Sequence, residues 1–291
     1  MRVIFIFIDG VGIAPPAPDN PIAPDACPFL CDLIANHCKP IDACLGVEGL
    51  PQSATGQATL FTGRNAAAFM GRHVEGFPGP TLRRFVEQGN IFTMLKDAGL
   101  RGRFADGYVA ETVEEIRARR FRSVTTTAAL TVPEVISLKA DLMADHAVLH
   151  DLTRSSIVAK GYDGPLVTPE QAAEHLFQIA LGYDYTLFEY FLTDRAGHSG
   201  DIEAARSVLR SLDAFLSTLF PLALAHDMSI AMSSDHGNIE SISAKGHTRN
   251  PVPLVACGKC ADPLLSGATS LADVTPAIIK LLATDQANGL K

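Results

Sequence analysis

Three hydrophobic runs in this sequence each lead directly into an aspartate. The runs and their aspartates are residues 2–8 with Asp9, residues 185–193 with Asp194, and residues 228–234 with Asp235. The first run is β-branched and aromatic without polar alternation, which is typical of a strand buried on both faces of a sheet. In an open α/β sheet, ligands bind at the carboxyl ends of the strands. We therefore predict an α/β fold with three carboxylates at its binding edge.

Three histidines accompany these aspartates. His236 follows Asp235 directly, His198 lies four residues after Asp194, and His247 comes later in the loop after the third run. A lone histidine is more often a surface or core residue, and we interpret the other six histidines in that way. Three carboxylates and three imidazoles in one crevice are suited to two divalent cations. Because imidazole is present and thiolate is not, the set favours Mn²⁺ or Zn²⁺ over Mg²⁺.

The charge distribution points to a small anionic substrate. The 291 residues are 47% hydrophobic and carry a formal net charge of −8, which predicts a large core and argues against a general nucleic-acid binder. Residues 67–165 hold 13 Lys and Arg against 12 Asp and Glu, whereas the rest of the chain holds 11 against 20. The acidic part would hold metal and the middle part would supply cations, so the expected partner is a small phosphorylated metabolite.

The lack of a recognisable signal peptide and the pattern of cysteines favour a cytoplasmic location. The apolar residues 3–8 are too few for a signal peptide. We expect no stretch of transmembrane length and therefore predict no membrane association. Six cysteines without a secretory signal are expected to be free thiols. The pair Cys257 and Cys260 forms a C-x-x-C motif outside any thioredoxin-like context, so we interpret it as small buried residues beside a turn.

The alternation of strands and helices is clear up to about residue 66 and again from about 166. We predict a metal-binding core of residues 1–66 and 166–291, with an inserted cap or substrate region of 67–165. The long helix at 201–225 should bend near Pro221. Helices are expected at residues 28–37, 53–63, 81–88, 91–98, 109–118, 168–179, 201–225 and 274–283.

Ser53 lies at the start of one predicted helix. A serine there is usually a cap, but the free N–H groups of a helix start also favour a phosphate. Arginines cluster at 117, 119, 120 and 122, and such a run is usually a solvated face, although the guanidinium fork also matches phosphate geometry. We name Arg72, His73 and Arg120 as candidate substrate contacts.

Five motifs follow one another in the chain: Asp9-Gly-Val-Gly12, Ser53-Ala-Thr-Gly56 with Thr62-Gly63, Asp194-Arg-Ala-Gly-His198, Asp235-His-Gly-Asn238 and His247-Thr-Arg-Asn-Pro251. Together they resemble the alkaline phosphatase superfamily, within it the metalloenzyme branch with cofactor-independent phosphoglycerate mutase and phosphopentomutase. The resemblance implies an alkaline-phosphatase-like three-layer sandwich with a mostly parallel central sheet and a small inserted cap. It also implies two ligand sets, with Asp9, Ser53, Asp235 and His236 for one cation and Asp194, His198 and His247 for the other.

The spacing within the superfamily places the nucleophile on Ser53, with Thr55 as the competing candidate. Gln57 stands where the mutase has a histidine. The resemblance implies transfer of a phosphoryl group to Ser53, and we expect hydrolysis of a small phosphate monoester. A phosphomutase acting on a sugar phosphate or phosphoglycerate is the first alternative, and a catalytically silent metal-binding protein is the second. A sulfatase is not expected because the Cys/Ser-x-Pro-x-Arg signature is absent around Ser53. Substrate identity and oligomeric state stay open.

Overall fold

A computed structural model describes residues 1–244 and 246–289, and within them six strands form one central sheet. The strands are β1 Val3–Ile8, β2 Cys38–Ile41, β3 Gly102–Phe104, β4 Tyr185–Tyr190, β5 Ser229–Ser233 and β6 Val252–Cys257. Their spatial order is β2-β6-β5-β1-β4-β3. β5, β1, β4 and β3 are parallel to one another, whereas β6 is antiparallel to both of its neighbours. The mostly parallel sheet that we predicted is confirmed.

Helices cover both faces of this sheet. They are α1 Pro28–Asn36, α2 Ser53–Thr62, α3 Ala66–Met70, α4 Pro80–Glu87, α5 Ile91–Asp97, α6 Val113–Arg117, α7 Val124–Ala129, α8 Lys139–Met143, α9 Pro169–Ala180, α10 Leu192–Ser199, α11 Ile202–Ala225, α12 Ala261–Gly267 and α13 Leu271–Gly289. The buried side chains of α1, α9 and α11 pack on one face, and those of α2, α4, α5, α12 and α13 pack on the other. The result is the predicted three-layer sandwich.

The central strand β1 shows why the sequence produces two helical layers. Its side chains alternate, so Phe5 and Phe7 enter the core on one face while Ile4 and Ile6 enter the core on the other. All four side chains are at most 1% exposed. An uninterrupted apolar strand of this kind is stable only when both faces are covered.

Helix ends follow the local chemistry of the sequence. Gly63 ends α2 in the left-handed conformation, with φ of +66°, which glycine adopts without steric penalty. Thr168 and Gln171 form a reciprocal capping box at the start of α9, as their spacing predicted. Asp201 caps α11 by accepting from the backbone N–H groups of the first turn.

α11 corrects one expectation, because it reaches transmembrane length. The helix has 24 residues and contains an 18-residue stretch with a mean hydropathy of 1.4, so by length and composition alone it would pass as a membrane span. In the fold, its apolar side chains pack into the core against α9 and the sheet, including Leu209, Leu212 and Phe215. The core helix of a soluble domain meets the same criteria as a membrane helix, and here the apolar face has protein partners.

Part of the segment 67–165 is built into the central sheet. β3 pairs in parallel with β4, and side chains of α4 and α5 belong to the same hydrophobic core as α2. We did not expect a strand here, because Gly102–Phe104 is short and contains the charged Arg103, whose guanidinium pairs with Asp141 at 2.9 Å. The division into a core and a cap at residues 67 and 165 stays a prediction.

β4 is shorter than predicted. The strand ends at Tyr190, and the chain then forms α10 from Leu192, so Asp194 and His198 lie on a helix. The apolar sequence at 185–193 gives no sign of this change, because Phe191 and Leu192 suit either element. The spacing of four residues places Asp194 and His198 on the same side of α10.

Candidate metal centre

Neighbouring strands bring the predicted ligands together. β5, β1 and β4 are adjacent and parallel, so the residues after them emerge at the same edge of the sheet. Asp9 follows β1, Asp235 comes shortly after β5, and Asp194 lies in the first turn of the helix after β4. Gly10 makes this meeting possible, because its φ is +73° and a Cβ there would lie 2.8 Å from the Asp194 backbone.

One group of side chains, which we call the inner cluster, consists of Asp9, Ser53, Asp235 and His236. His236 Nε2 is close to the other three residues, at 2.9 Å from Ser53 Oγ, 3.3 Å from Asp9 Oδ1 and 3.6 Å from Asp235 Oδ2. His236 and Asp235 are fully buried. Four potential ligand atoms from three separate segments therefore face one point.

A second group, the outer cluster, consists of Asp194, His198 and His247. The two imidazole Nε2 atoms are 3.1 Å apart, and each lies 3.5 Å from one oxygen of Asp194. One ligand atom from each of these three residues lies within 4.8 Å of the others, and the same holds for Asp9, Asp194 and His236. Asp194 thus lies between the two clusters.

Backbone carbonyls fix the tautomers of two histidines. His247 Nδ1 lies 2.8 Å from the carbonyl of Pro51, and His236 Nδ1 lies 3.4 Å from the carbonyl of Gly237. A carbonyl only accepts, so each Nδ1 carries the proton and each Nε2 directs a lone pair at the carboxylates. The two rings stack with centroids 3.7 Å apart. Metal-binding histidines are oriented in this way by their second nitrogen.

The electrostatics of the site favour a bound cation. Burial, followed by the charge of neighbouring carboxylates, raises the pKa of Asp9 and of Asp235 well above its usual range. Burial and the nearby His236 lower the pKa of His247 to about 4, so its imidazole is neutral. Asp9 Oδ1 is buried and accepts no hydrogen bond. Within the described residues, no lysine or arginine forms an ion pair with Asp9, Asp194 or Asp235.

Gln57 takes part in the inner cluster in a way that the sequence did not predict. Its Nε2 donates to Asp9 Oδ2 and to Asp235 Oδ2, at 3.1 Å each, and so ties the two buried carboxylates together. Asp9 keeps its other oxygen for a further partner, whereas Asp235 Oδ1 accepts from the Gly10 backbone N–H at 3.3 Å. The donor set of carboxylate oxygens, imidazole nitrogens and one hydroxyl fits divalent cations.

Glu240 holds the loops around both clusters. Its carboxylate accepts from the backbone N–H groups of Gly12 and Asn238, and from the side chains of Thr248 and Asn250. Asn238 in turn donates to Asp194 Oδ1 at 2.6 Å. The chain of contacts connects the loops after β1 and β5 to the outer cluster, and such supporting contacts orient metal ligands.

Ser53 and Thr55 differ in what surrounds their hydroxyls. Ser53 is the first residue of α2, and its Oγ contacts His236. Thr55 is fully buried, its hydroxyl donating to the Gln52 carbonyl at 3.3 Å and accepting from the Val74 N–H at 3.1 Å. The Thr55 hydroxyl is therefore occupied by backbone groups.

The candidate substrate residues lie elsewhere. Arg72, His73 and Arg120 are not among the described residues that line the cavity beside Ser53, whereas Arg119 and Arg195 are. The Arg120 guanidinium lies over the ring of Phe121 at 5.1 Å. Contacts of Arg72, His73 and Arg120 with substrate stay predictions.

An acidic pair, buried Glu189 and half-buried Asp106, also lines this cavity. Glu189 and Asp106 lie close together, since the Glu189 backbone N–H donates to Asp106 Oδ2 at 2.8 Å. Thr125 donates to Glu189 Oε2 at 2.5 Å. Burial raises the pKa of Glu189 to about 7. The sequence signal for this pair is a glutamate inside the largely apolar run at 185–190, which was not among the predicted site residues.

The sandwich and its two clusters define a metal-dependent α/β protein with ligands at the carboxyl edge of a parallel sheet. The family model described as the Metalloenzyme superfamily matches residues 1–286, and the chain belongs to this superfamily. This confirms the family resemblance, and membership of a metalloenzyme superfamily implies divalent metal ions.

Curated relatives include 2,3-bisphosphoglycerate-independent phosphoglycerate mutases. The mutase of Desulforudis audaxviator is 34% identical over 124 residues, which are 39% of this chain and 24% of the mutase. The mutase of Flavobacterium johnsoniae is 32% identical over 113 residues, 37% of this chain and 22% of the mutase. The matched region therefore spans only about a quarter of these relatives.

Solved structures share the fold over nearly the whole chain. The alkaline phosphatase from the Antarctic bacterium TAB5 superposes with a TM-score of 0.58 at 14% identity, covering 97% of this chain and 98% of the phosphatase. The Leishmania mexicana phosphoglycerate mutase superposes with a TM-score of 0.56 at 13% identity, covering 97% of this chain and 95% of the mutase. These likenesses confirm the alkaline-phosphatase-like fold.

Proposed function

We propose that this chain transfers the phosphoryl group of a phosphate monoester to Ser53, and that water then releases it as phosphate. The observation that carries the proposal is the 2.9 Å contact between Ser53 Oγ and His236 Nε2, within a cluster of buried carboxylates that lacks a lysine or arginine partner among the described residues. A nucleophilic hydroxyl at a helix start beside a cation site is suited to attack on phosphorus.

In this proposal the inner cluster holds one divalent cation and the outer cluster holds another, either Mn²⁺ or Zn²⁺. Such cations lower the pKa of a bound hydroxyl and neutralise charge on the entering and leaving oxygens. The imidazoles of His198, His236 and His247 favour these metals over Mg²⁺, which prefers oxygen ligands.

The protein residues have distinct roles in the transfer. Ser53 Oγ forms the new bond to phosphorus while the bond to the alcohol oxygen breaks, and the alcohol leaves with a proton. The N–H groups of Ser53 and Ala54 at the start of α2 would donate to the phosphate oxygens, whereas the Thr55 N–H donates to the Val74 carbonyl at 3.3 Å. Gln57 keeps Asp9 and Asp235 at a fixed separation, and Asn238 orients Asp194. These supporting contacts hold the site before substrate binds.

A phosphomutase is the second candidate, and the comparisons support it at least as well as hydrolysis. The curated relatives are named as phosphoglycerate mutases. In a mutase, a second hydroxyl of the bound substrate takes the phosphoryl group from Ser53 in place of water. The two reactions share the phosphoserine and differ in the product.

The test is turnover by the full chain reconstituted with Mn²⁺ or Zn²⁺. p-Nitrophenyl phosphate, 3-phosphoglycerate and sugar phosphates are assayed for both free phosphate and isomerised product. We expect Ser53→Ala to lower turnover on the order of 10³-fold or more, since the nucleophile is lost, while the metal content stays unchanged. Mass spectrometry of the acid-quenched wild type should find phosphate on Ser53.

Thr55→Val is the matched control. It removes the competing hydroxyl but not the proposed nucleophile, so it should keep activity within about tenfold of the wild type. Activity retained in Ser53→Ala and lost in Thr55→Val would move the nucleophile to Thr55. Isomerisation without phosphate release would favour the mutase, and metal binding without either product would favour a silent metal-binding protein.

A further inference from the structure

A cavity of about 890 Å³ opens beside the two clusters. Asp9, Ser53 and Asp194 form part of its wall, so a phosphate attached to a molecule in this cavity can reach Ser53. Cavities of roughly 300–1,000 Å³ enclose drug-sized ligands. The volume is therefore much larger than a phosphoglycerate requires.

Most of the wall surface away from the clusters is apolar, although Ser123, Thr126 and His150 also line it. Phe104, Leu149 and Ile157 are buried, and Tyr108 and Phe191 are half-buried. These side chains come from separate parts of the chain, since Phe104 ends β3 and Phe191 follows β4. An apolar surface facing an open cavity is stabilised when an apolar group displaces the water from it.

The charged groups in the wall do not favour a second anion on the substrate. Asp106 and Glu189 contribute carboxyls, whereas the cations are Arg119 and Arg195. Arg119 is already engaged, because its guanidinium lies over the Tyr108 ring at 5.6 Å and donates to the Val109 carbonyl at 3.3 Å. A glycerate carboxylate would lie near these two carboxyls, whose raised pKa values show that this part of the wall stabilises negative charge poorly.

The rim of the cavity presents an exposed aromatic pair. Phe77 lines the cavity and is 54% exposed, and its ring lies 5.6 Å from that of Phe121, which is 59% exposed. Two exposed aromatic rings at the mouth of a cavity mark a binding surface more often than an isolated apolar residue does. They continue the apolar wall out to the solvent.

We infer that the substrate is a phosphate monoester of an alcohol whose carbon portion is bulky and apolar, a conclusion that rests on the phosphoryl transfer proposed above. The apolar portion contacts Phe104, Tyr108, Leu149, Ile157 and Phe191, while the phosphate lies at Ser53. Ser53 Oγ replaces the alcohol oxygen on phosphorus, and water then cleaves the bond from Oγ to phosphorus, which gives the free alcohol and inorganic phosphate.

A series of alkyl phosphates tests this inference. Ethyl, butyl and hexyl phosphate have leaving alcohols of closely similar basicity, so differences in kcat/KM report binding of the carbon chain. The metal-reconstituted full chain is assayed for phosphate release beside 4-phenylbutyl phosphate and 3-phosphoglycerate. We expect kcat/KM to rise by up to about fourfold for each methylene that becomes buried.

Phe77→Ser tests the rim with little risk to folding, because the side chain is exposed. It should lower kcat/KM for hexyl phosphate about three- to tenfold and leave kcat/KM for ethyl phosphate unchanged. Phe69→Ser is the matched control: Phe69 is 56% exposed and packs on Phe85, but it is not among the described residues that line the cavity. It should leave the whole series unchanged.

The outcomes separate this inference from the proposed function. A flat series, or a higher kcat/KM for 3-phosphoglycerate than for hexyl phosphate, would overturn the substrate class while phosphoryl transfer stands. If no ester is turned over, the proposed function fails. Calorimetry with hexylphosphonate and methylphosphonate on the metal-loaded chain then tests whether the cavity binds an apolar carbon chain. Tighter binding of hexylphosphonate would support the apolar site, and equal binding would overturn it.

Discussion

The inner and outer clusters lie side by side at one sheet edge, but they differ in exposure. The side chain of His236 in the inner cluster is 0% exposed, whereas that of His198 in the outer cluster is 46% exposed. The inner residues follow directly from central strands or begin a buried helix, while His198 lies on α10, near its end. The side chains of Asp194 and His247 are only 16% and 6% exposed, so the outer cluster is the more open one through His198.

The difference predicts different tasks for the two clusters. A buried cluster excludes water, so its charges interact strongly and its geometry is fixed by packing. A cluster with one exposed member, His198, is more accessible to solvent, which suits the place where water enters and product leaves. Asp194 links the two, since it lies within 4.8 Å of ligand atoms in both.

Among the carboxylates and imidazoles of the two clusters, the largest effect should come from Asp235→Asn. Loss of a fully buried ligand should remove the inner cation and lower turnover by about 100-fold or more, while the outer cation stays bound. At a pH where Asp235 is ionised in the folded chain, the metal-free variant should be more stable than the metal-free wild type, because a neutral amide replaces a buried carboxylate whose pKa is raised. Elemental analysis measures the metal content, and urea unfolding in EDTA measures the stability.

Asp213→Asn is the matched control for that variant. Asp213 is also a buried aspartate, but it accepts from the Leu30 backbone N–H at 2.8 Å on another side of the fold. It should keep both cations. An unchanged metal content in Asp235→Asn would remove Asp235 from the ligand set.

A smaller effect is expected for His198→Ala. The outer site should lose about 10–100-fold in metal affinity, since one of its ligands is gone, and the inner site should be unaffected. Because His198 is exposed, the free energy of unfolding without metal should change by less than about 0.5 kcal/mol. Competition with a chelator measures both affinities, and His146→Ala, at another exposed histidine, is the control. Simultaneous loss of both cations would contradict the separation of the clusters.

Much of the fold could be predicted because its signals are local. The unbroken apolar run of β1 and the caps of α9 and α11 lie within short stretches of sequence. β2 and β3 were missed because they are short edge strands, and Pro40 and Arg103 interrupt their apolar pattern. Tertiary pairing, which the sequence does not display, makes these segments strands.

The candidate site was predicted unevenly for a similar reason. The predicted ligands Asp235 with His236 and Asp194 with His198 are visible as motifs, and the structure places both pairs at one edge of the sheet. The role of Gln57 depends on the adjacency of β1 and β5, which places Asp9 and Asp235 on either side of one amide. The order of strands in the sheet is a long-range property, so no spacing along the chain reveals it.

The smallest effect concerns Glu189, which is buried like the inner cluster but belongs to neither ligand set. The pKa of this carboxyl is raised by burial to about 7 from its ordinary value of 4.5. Between these pH values the folded chain binds more protons than the unfolded chain, so stability falls as pH rises through the window. The difference between 4.5 and about 7 corresponds to at most ~3 kcal/mol.

Glu189→Gln should therefore stabilise the metal-free chain at pH 8 by about 1–3 kcal/mol and have little effect near pH 4.5. Glutamine keeps an oxygen that can accept the hydrogen bond from Thr125, so the variant removes the charge without removing this contact. Urea unfolding in EDTA across this pH range is the measurement, with Glu174→Gln on the exposed side of α9 as the control. A stability difference independent of pH would show that Glu189 does not titrate in this window and that burial does not raise its pKa.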